Sequence, residues 1–354
     1  MTTVVQFNGP REVAIVDEPE QPLVAGHVRV RTWYSGISAG TELTAYRGSN
    51  PYQSKTWDPD RRIFAAGAPT IPYPSSGWGY EEVGEVVEAA EDVTGLAPGD
   101  VVYGVWGHRD QAVVPAARLA GHRVPAGVPP IHAVPVRVGA VALNAVLAAD
   151  LHVGEDVAVF GQGVVGLLTT RLSTLNGARV IAVDMLPERL RLAADFGAAA
   201  AVAADPPGGA GKAVRAASRN DRGVDVAVEV SGSYRALHEA IRSVQPGGRV
   251  VAAGFYQGEG KGLALGEEFH HNRVELVSSQ IGSAPRGLTT RWDTNRMLRV
   301  VMELIANNAV DVAPLLTHVV DAADAADAYA LLDRHPHRAM QVVLSFPAAP
   351  GGAR

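Results

Sequence analysis

The sequence predicts an α/β protein in two parts: a barrel-like β domain first, then a doubly wound parallel sheet with helices on both faces. Three observations predict it. Residues 1 to about 150 read as short strands broken often by Pro and Gly. From about residue 153 near-continuous apolar strands alternate with helical segments, the pattern that a sheet covered on both faces requires. At 354 residues the chain also exceeds what a single hydrophobic core usually holds.

In the first part, strands are expected at residues 28–34, 84–88 and 99–103. Residues 44–77 carry Tyr46, Tyr52, Trp57, Phe64 and Tyr73 and read as a long loop. A loop that size with so many aromatics is expected to cover a substrate. In the second part, strand 156–160 leads through a glycine turn into a helix from Val164 to about Leu175, followed by a strand ending at Asp184. Further strands are expected at 225–230, 248–254 and 273–277, with a helix at 234–244. An amphipathic helix is expected over 292–308, then a helix of Asp-Ala-Ala steps over 321–333 and a closing strand over 341–346. Three-residue spacing of aspartates with alanines between them reads as a solvated helix face, not a metal ladder. No solenoid repeat is present, and only the Pro-Gly tail at Ala348 to Arg354 reads as disordered.

The turn after residue 160 carries the chemistry. Gly161, Gly163 and Gly166 form G-x-G-x-x-G, and Asp184 lies 23 positions after Gly161. Glycines there allow a tight turn, close approach of backbone to a pyrophosphate and close packing of helix on strand. The helix start at Gly163, Val164, Val165 and Gly166 then presents unpaired N–H groups to the anion. A carboxylate at the end of the second strand accepts bonds from a ribose 2′-OH and repels a 2′-phosphate, so NAD is expected over NADP.

Composition narrows the classes. The net charge of −6 gives no electrostatic reason to expect nucleic acid or an anionic membrane as partner. The first residues lack a basic region followed by an apolar stretch, and no run is expected to reach bilayer length, so a cytoplasmic protein is expected. Cysteine is absent, which removes disulfides, thiolate nucleophiles and sulfur-built zinc sites. Only Lys55, Lys212 and Lys261 are lysines, and none lies in a motif that points to a lysine base.

Several motifs in order give the chain a family likeness. Residues Ser35-Gly36-Ile37-Ser38-Ala39-Gly40-Thr41-Glu42 stand where the family writes C-G-x-C-G-T-D, and Gly79-Tyr80-Glu81-Glu82-Val83-Gly84 where it writes G-H-E-x-x-G. Gly99-Asp100-Val101-Val102 matches its G-D-x-V, and the glycine turn with Asp184 completes the series. The chain thus resembles the medium-chain dehydrogenase/reductase superfamily, the zinc alcohol and polyol dehydrogenases, over nearly its whole length. The serine variant of the first motif, with Ser278-Ser279-Gln280, looks most like a zinc-poor branch that includes bacteriochlorophyllide-type dehydrogenases. The resemblance implies a GroES-like catalytic domain over 1–152, a Rossmann domain over 153–283 and a return to the catalytic domain over 284–354. It further implies cofactor contacts from Arg189, Ser231, Gly254 and Ser279, and a homodimer or homotetramer joined through edge strands of the cofactor domain.

The departures from that pattern shape the expected mechanism. Where the family places its zinc ligands, this chain has Ser38 or Ala39, then Tyr80, then Arg137. Serine is a poor zinc ligand, alanine none, and an arginine repels a cation. The four-cysteine structural zinc loop is missing too. Hydrogen-bond donors must then replace the Lewis acid that stabilises an alkoxide. Tyr80 is expected to donate to a carbonyl oxygen or, ionised, to accept the alcohol proton, with Arg137 favouring the phenolate. Thr41 stands at the family's relay hydroxyl and Glu81 at its supporting glutamate. Bland readings stay open: Tyr80 fills a vacated cavity, Arg137 pairs with Glu81 or Glu42, and Thr41 merely caps a helix. His108 and Asp110 are acid/base reserves or, as lone loop residues, surface groups. The close pairs His270-His271 and His335/His337 read as accidental surface histidines.

The function expected is zinc-independent, NAD-dependent interconversion of a polar secondary alcohol, polyol- or cyclitol-like and biosynthetic, with its ketone. Two alternatives remain: a metal-free quinone or enoyl reductase of C=C bonds, against which Asp184 argues, and a non-catalytic NAD-binding sensor or structural protein.

Overall fold

In the computed structural model the described residues are 1–219 and 221–347, so the tail at Ala348 to Arg354 lies outside them. The chain divides into two compact units, Met1–Arg137 with Met302–Arg354, and Val138–Val301. It passes from one to the other inside continuous helices, at 137/138 and 301/302, with no loop to mark the change. The sequence therefore places the boundaries elsewhere, at 152/153 and 283/284.

The first unit opens with β1 (Thr2–Gly9), β2 (Glu12–Glu18) and β3 (His27–Ile37). After a short helix α1 (Glu42–Arg47) come the small strands β4 (Thr56–Asp58), β5 (Ile63–Ala65) and β6 (Ser75–Ser76). The unit continues through β7 (Glu82–Ala89), β8 (Val101–Gly104) and β9 (Gln111–Pro115). Strand β3, of 11 residues, pairs antiparallel with β7 and with β9. Its alternate residues Val28 and Val30 are buried against Val86, Val102 and Val114, the period-two pattern of a strand with one face inward. Residues 44–77 are not a structureless cover: Tyr46 is a core residue beside Phe7, and β4 pairs with β5 in a hairpin. Tyr52, Trp57 and Phe64 cluster on that hairpin, with Trp57 and Phe64 ring centroids 4.8 Å apart.

Helix α2 (Val136–Ala149) leads into the second unit. With the short helical turn before it, residues 130–149 are apolar and long enough to cross a membrane, contrary to the sequence expectation, but 72% of that window is buried inside the protein. A buried core helix has the same composition, since all its faces meet hydrocarbon. The unit then alternates strand and helix, with α4, β12 and α5 in a stretch where the sequence named no element: β10 (Asp156–Phe160), α3 (Val164–Leu175), β11 (Arg179–Asp184), α4 (Pro187–Asp195), β12 (Ala200–Ala203), α5 (Ala210–Ala217), β13 (Val224–Glu229), α6 (Tyr234–Ser243), β14 (Val244–Ala252) and β15 (Glu275–Ser278). The six strands are parallel, in the order β12-β11-β10-β13-β14-β15. That is the doubly wound order, in which the chain reverses its direction of travel beside the first strand. Val157 and Val159 of β10 enter one apolar cluster and Ala158 and Phe160 the other, so both faces are covered.

Helix α7 (Thr294–Ala306) carries the chain back to the first unit, which adds β16 (Leu316–Asp321), α8 (Ala325–Arg334) and β17 (Gln341–Ser345). Strand β17 lies antiparallel to the end of β3, and β16 lies parallel to β17. The Asp-Ala-Ala run splits into a short turn and α8: Ala322, Ala325 and Ala328 are buried while Asp321, Asp324 and Asp327 are exposed. Asp333 is different, receiving Arg11 at 2.9 Å and Arg47 at 2.6 Å.

Candidate active site

In the first unit the end of β3, the start of α1, the entry to β7 and the loop between β8 and β9 bring polar groups together. The phenol of Tyr80 is hydrogen-bonded to Ser38 Oγ and donates to Thr41 Oγ1 at 3.3 Å. Thr41 holds the helix-start position, yet its hydroxyl caps no backbone group, so the capping role is set aside. Tyr80 and Thr41 are half-buried and Ser38 is buried.

Burial holds the Tyr80 phenol above its ordinary range, and the neighbouring Glu81 and Glu42 push the same way, against the hydrogen bonds from Ser38 and Thr41. This corrects the expectation that Arg137 would favour a phenolate. Tyr80 is a neutral donor because a dry site between carboxyl groups penalises a second negative charge. Arg137, itself half-buried and lowered by desolvation, makes no ion pair within 4 Å with Glu81 or Glu42 among the described residues.

Glu81 is 1% exposed, and neither of its oxygens has a hydrogen-bond partner. Desolvation, then Glu42 and Glu82, raise its carboxyl well above the usual range, against Arg137, which lowers it, so burial favours the uncharged acid.

His108 is not a surface residue. It is fully buried, with Nε2 donating to Glu42 Oε2 at 2.6 Å and Nδ1 lying 2.6 Å from Ser35 Oγ. Ser35 Oγ in turn donates to Glu82 Oε1 at 3.0 Å, and Tyr329 donates to Glu42 Oε2. Desolvation alone would lower the imidazole, but Glu42 and then Glu82 outweigh it and raise His108. The other Glu42 oxygen accepts Ser38 N–H at 2.8 Å, so the buried pair fixes the backbone that carries the Ser38 hydroxyl. Asp110 faces away from this cluster, accepting Thr3 N–H at 3.1 Å. Sequence reasoning gave no role to Ser35 and Glu82, though both lie in quoted motifs, nor to Tyr329, because only the folded chain brings them to His108 and Glu42.

In the second unit Gly161 takes φ +91°, and a Cβ at Gly166 would lie 1.8 Å from the Gly161 carbonyl oxygen, so neither position admits a side chain. Helix α3 starts at Gly163 with no side-chain cap, leaving the N–H groups of its first turn directed outward. Asp184 accepts Gln162 N–H at 2.6 Å and Leu186 N–H at 2.9 Å, which fixes its carboxylate at the end of β11. The guanidinium of Arg189 approaches Gly163, 3.9 Å from where a Cβ would be. Ser231 and Gly254 follow β13 and β14 at the same strand ends, and Ser279, just past β15, accepts Asn144 Nδ2 at 3.2 Å. Glu229 was not singled out from the sequence. It is fully buried at the end of β13 and accepts four bonds, from Ser231 N at 2.8 Å, Gly232 N at 3.1 Å, Ser231 Oγ and Tyr256 OH.

These residues fit a dinucleotide: an uncapped helix start for the pyrophosphate and a fixed carboxylate for a ribose. They do not fit zinc. A serine hydroxyl, a neutral phenol and a guanidinium stand at the aligned ligand positions, and no three His, Asp or Glu side chains converge as a metal set among the described residues. His270, His271, His335 and His337 are exposed and form ring pairs only.

The family model for zinc-binding dehydrogenases matches residues 164–307. The chain is 28% identical to D-guloside 3-dehydrogenase of Escherichia coli (strain K12) over 345 residues, 95% of this chain and 98% of that protein. It is 27% identical to 2-desacetyl-2-hydroxyethyl bacteriochlorophyllide A dehydrogenase of Cereibacter sphaeroides, covering 93% of each. Among solved structures, 2R,3R-butanediol dehydrogenase of Bacillus subtilis superposes with a TM-score of 0.79 at 21% identity, over 98% of this chain and 99% of that one, which shows the shared fold. In its sheet order, its glycine turn and these relatives, the chain is similar to the zinc-binding dehydrogenases of the medium-chain dehydrogenase/reductase superfamily.

Proposed function

We propose that the protein is an NAD(H)-dependent oxidoreductase that interconverts a polar, polyol-like secondary alcohol with its ketone, without zinc, in a biosynthetic pathway. The carrying observation is the half-buried Tyr80 phenol held between the Ser38 and Thr41 hydroxyls. The cofactor, when bound, supplies or accepts a hydride. Val164 and Val165, with Gly163 and Gly166, offer backbone N–H groups to its pyrophosphate, and Asp184 takes the ribose hydroxyls and disfavours a 2′-phosphate.

The residues of the first unit handle the oxygen. Tyr80, kept neutral, donates to the carbonyl oxygen and stabilises the negative charge that grows there. Its proton passes to that oxygen as the alcohol forms, and Ser38 and Thr41 return one through their own hydroxyls. Arg137 adds a positive charge on the same side, and burial of Glu81 disfavours a carboxylate charge that would oppose the oxyanion. His108 and Glu42 hold Ser38 in place. A hydroxyl-rich substrate suits this polar lining, and the similarity to proteins named as dehydrogenases of a guloside and a bacteriochlorophyllide supports alcohol chemistry. Strands β12 and β15 are the two edges of the parallel sheet, and pairing of two copies through an edge strand is part of this reading.

The test is a turnover panel of ketones, sugar-derived alcohols and enones with NADH or NAD and with NADPH or NADP. The reading expects turnover of polar alcohols and ketones with the non-phosphorylated cofactor. Turnover confined to enones with NADPH overturns it.

A further inference from the structure

Glu229 ends β13, and its carboxylate takes no contact with solvent. A buried carboxylate is costly unless every lone pair is used, and here four donors meet it. Two of them, the Ser231 and Gly232 amides, belong to the turn immediately after β13. The third is the Ser231 hydroxyl, and the fourth is Tyr256, in the segment that follows β14. The Glu229 backbone carbonyl also accepts Ala253 N–H at 2.9 Å and Gly254 N–H at 3.0 Å. One residue therefore stitches the turns after two neighbouring strands.

Those turns abut the glycine motif. A Cβ at Gly161 would lie 2.9 Å from Ser231 Cβ, and one at Gly254 would lie 2.3 Å from Gly232 N and 2.9 Å from Glu229 Oε2. Backbone thus packs on backbone across the ends of β10, β13 and β14, and a shift of the Ser231–Gly232 turn is transmitted directly to Gly161. The Glu229 side chain also absorbs the Ser231 and Gly232 amides, so these do not compete with helix α3 as anion donors.

We propose that Glu229 is a positioning residue for the dinucleotide: by clamping Ser231, Gly232 and Tyr256 it sets the glycine turn at Gly161 in the shape that receives the cofactor. The proposal rests on the dinucleotide reading given above and adds to it a residue that touches no ligand. Tyr256 shares the role, since its hydroxyl is the one donor that comes from the far side of the clamp.

The experiment is a fluorescence titration of the full-length protein with NADH, for wild type, Glu229→Gln, Tyr256→Phe and Ser231→Ala, with thermal melts alongside. Glu229→Gln keeps size but turns an acceptor into an amide facing donors. The expected result is a Kd for NADH weakened about tenfold, the loss of one charge-assisted hydrogen bond. KM for the alcohol at saturating cofactor should stay within about twofold, since positioning of the dinucleotide alone is disturbed. Where Glu229→Gln does not fold, Tyr256→Phe and Ser231→Ala carry the test, with an expected weakening of about three- to fivefold, since each removes one of the four donors and leaves the other three. Folded variants that bind NADH as wild type does overturn the proposal, as does an equal loss of cofactor and alcohol affinity. A wild-type protein that binds no dinucleotide overturns both the proposal and the reading beneath it, and that outcome is distinct from the others.

Discussion

His108 Nε2 donates to Glu42 Oε2 across 2.6 Å, and both side chains are sealed from solvent, at 0% and 1% exposure. The pair ties the loop before β9 to the first turn of α1, and through Ser38 N–H it reaches the hydroxyl beside Tyr80. Losing one member leaves the other buried without its partner, which costs about 3–5 kcal/mol. His108→Gln and Glu42→Gln should each lower the unfolding free energy by that order, and the double variant by less than their sum. Urea unfolding of the four proteins measures the coupling, and strict additivity would contradict the pairing.

The same histidine gives a pH dependence. Desolvation is outweighed by Glu42 and Glu82, so the folded pKa of His108 lies above its unfolded value of about 6.5. A raised pKa means the stabilisation is complete below the unfolded value and is lost as pH rises through the folded one. Melting temperatures recorded from pH 6 upward should fall more steeply for wild type than for His108→Gln. Parallel curves would show that His108 does not titrate as described.

Glu81 predicts a gain. Its carboxyl is raised by desolvation and by Glu42 and Glu82, so ionisation costs the folded protein once pH passes the unfolded value of about 4.3. Both oxygens lack partners, and Gln preserves the shape of the uncharged acid. Glu81→Gln should therefore match wild type at pH 4 and melt higher at pH 8. A lower melting temperature at pH 8 would mean that the charged carboxylate is stabilised after all.

Much of this was legible in the sequence, and the limit is physical. The glycine turn and Asp184 are local: strand, turn, helix and acid follow one another within 30 residues, so spacing alone places them. The buried strands β10, β11 and β13 are readable for the same reason, since such strands write themselves as apolar runs, whereas β12, with one buried residue, is not. Site groups joined by tertiary contact were not. Ser35 and Glu82 lie inside the two quoted motifs, but their link to His108, like that of Tyr329 to Glu42, is made by tertiary packing that spacing does not show. The sign of the Tyr80 shift was misjudged because a nearby arginine is visible in sequence while burial is not.

Cofactor choice should follow the carboxylate at the end of β11. Asp184 is held by two backbone amides, so it cannot swing away from a 2′-phosphate. Asp184→Ser should reduce the preference for NAD over NADP by at least about tenfold, one lost charge repulsion. Ratios of kcat/KM with the two cofactors measure it. An unchanged ratio would move the determinant elsewhere.

Tyr80→Phe should lower kcat by about 10²–10³, the cost of removing one oxyanion donor, with smaller losses for Ser38→Ala and Thr41→Ala. The measurement is kcat at saturating cofactor and substrate. A Phe variant with wild-type kcat would reduce Tyr80 to a space-filling residue.

In the proposed reaction hydroxyl donors, not a metal cation, hold the substrate oxygen. Zinc content per active chain, measured on the purified enzyme before and after exhaustive chelation with turnover recorded on the same samples, tests it most directly. Far less than one zinc per chain and turnover unchanged by chelation are expected. Stoichiometric zinc whose removal abolishes turnover and whose return restores it would contradict it.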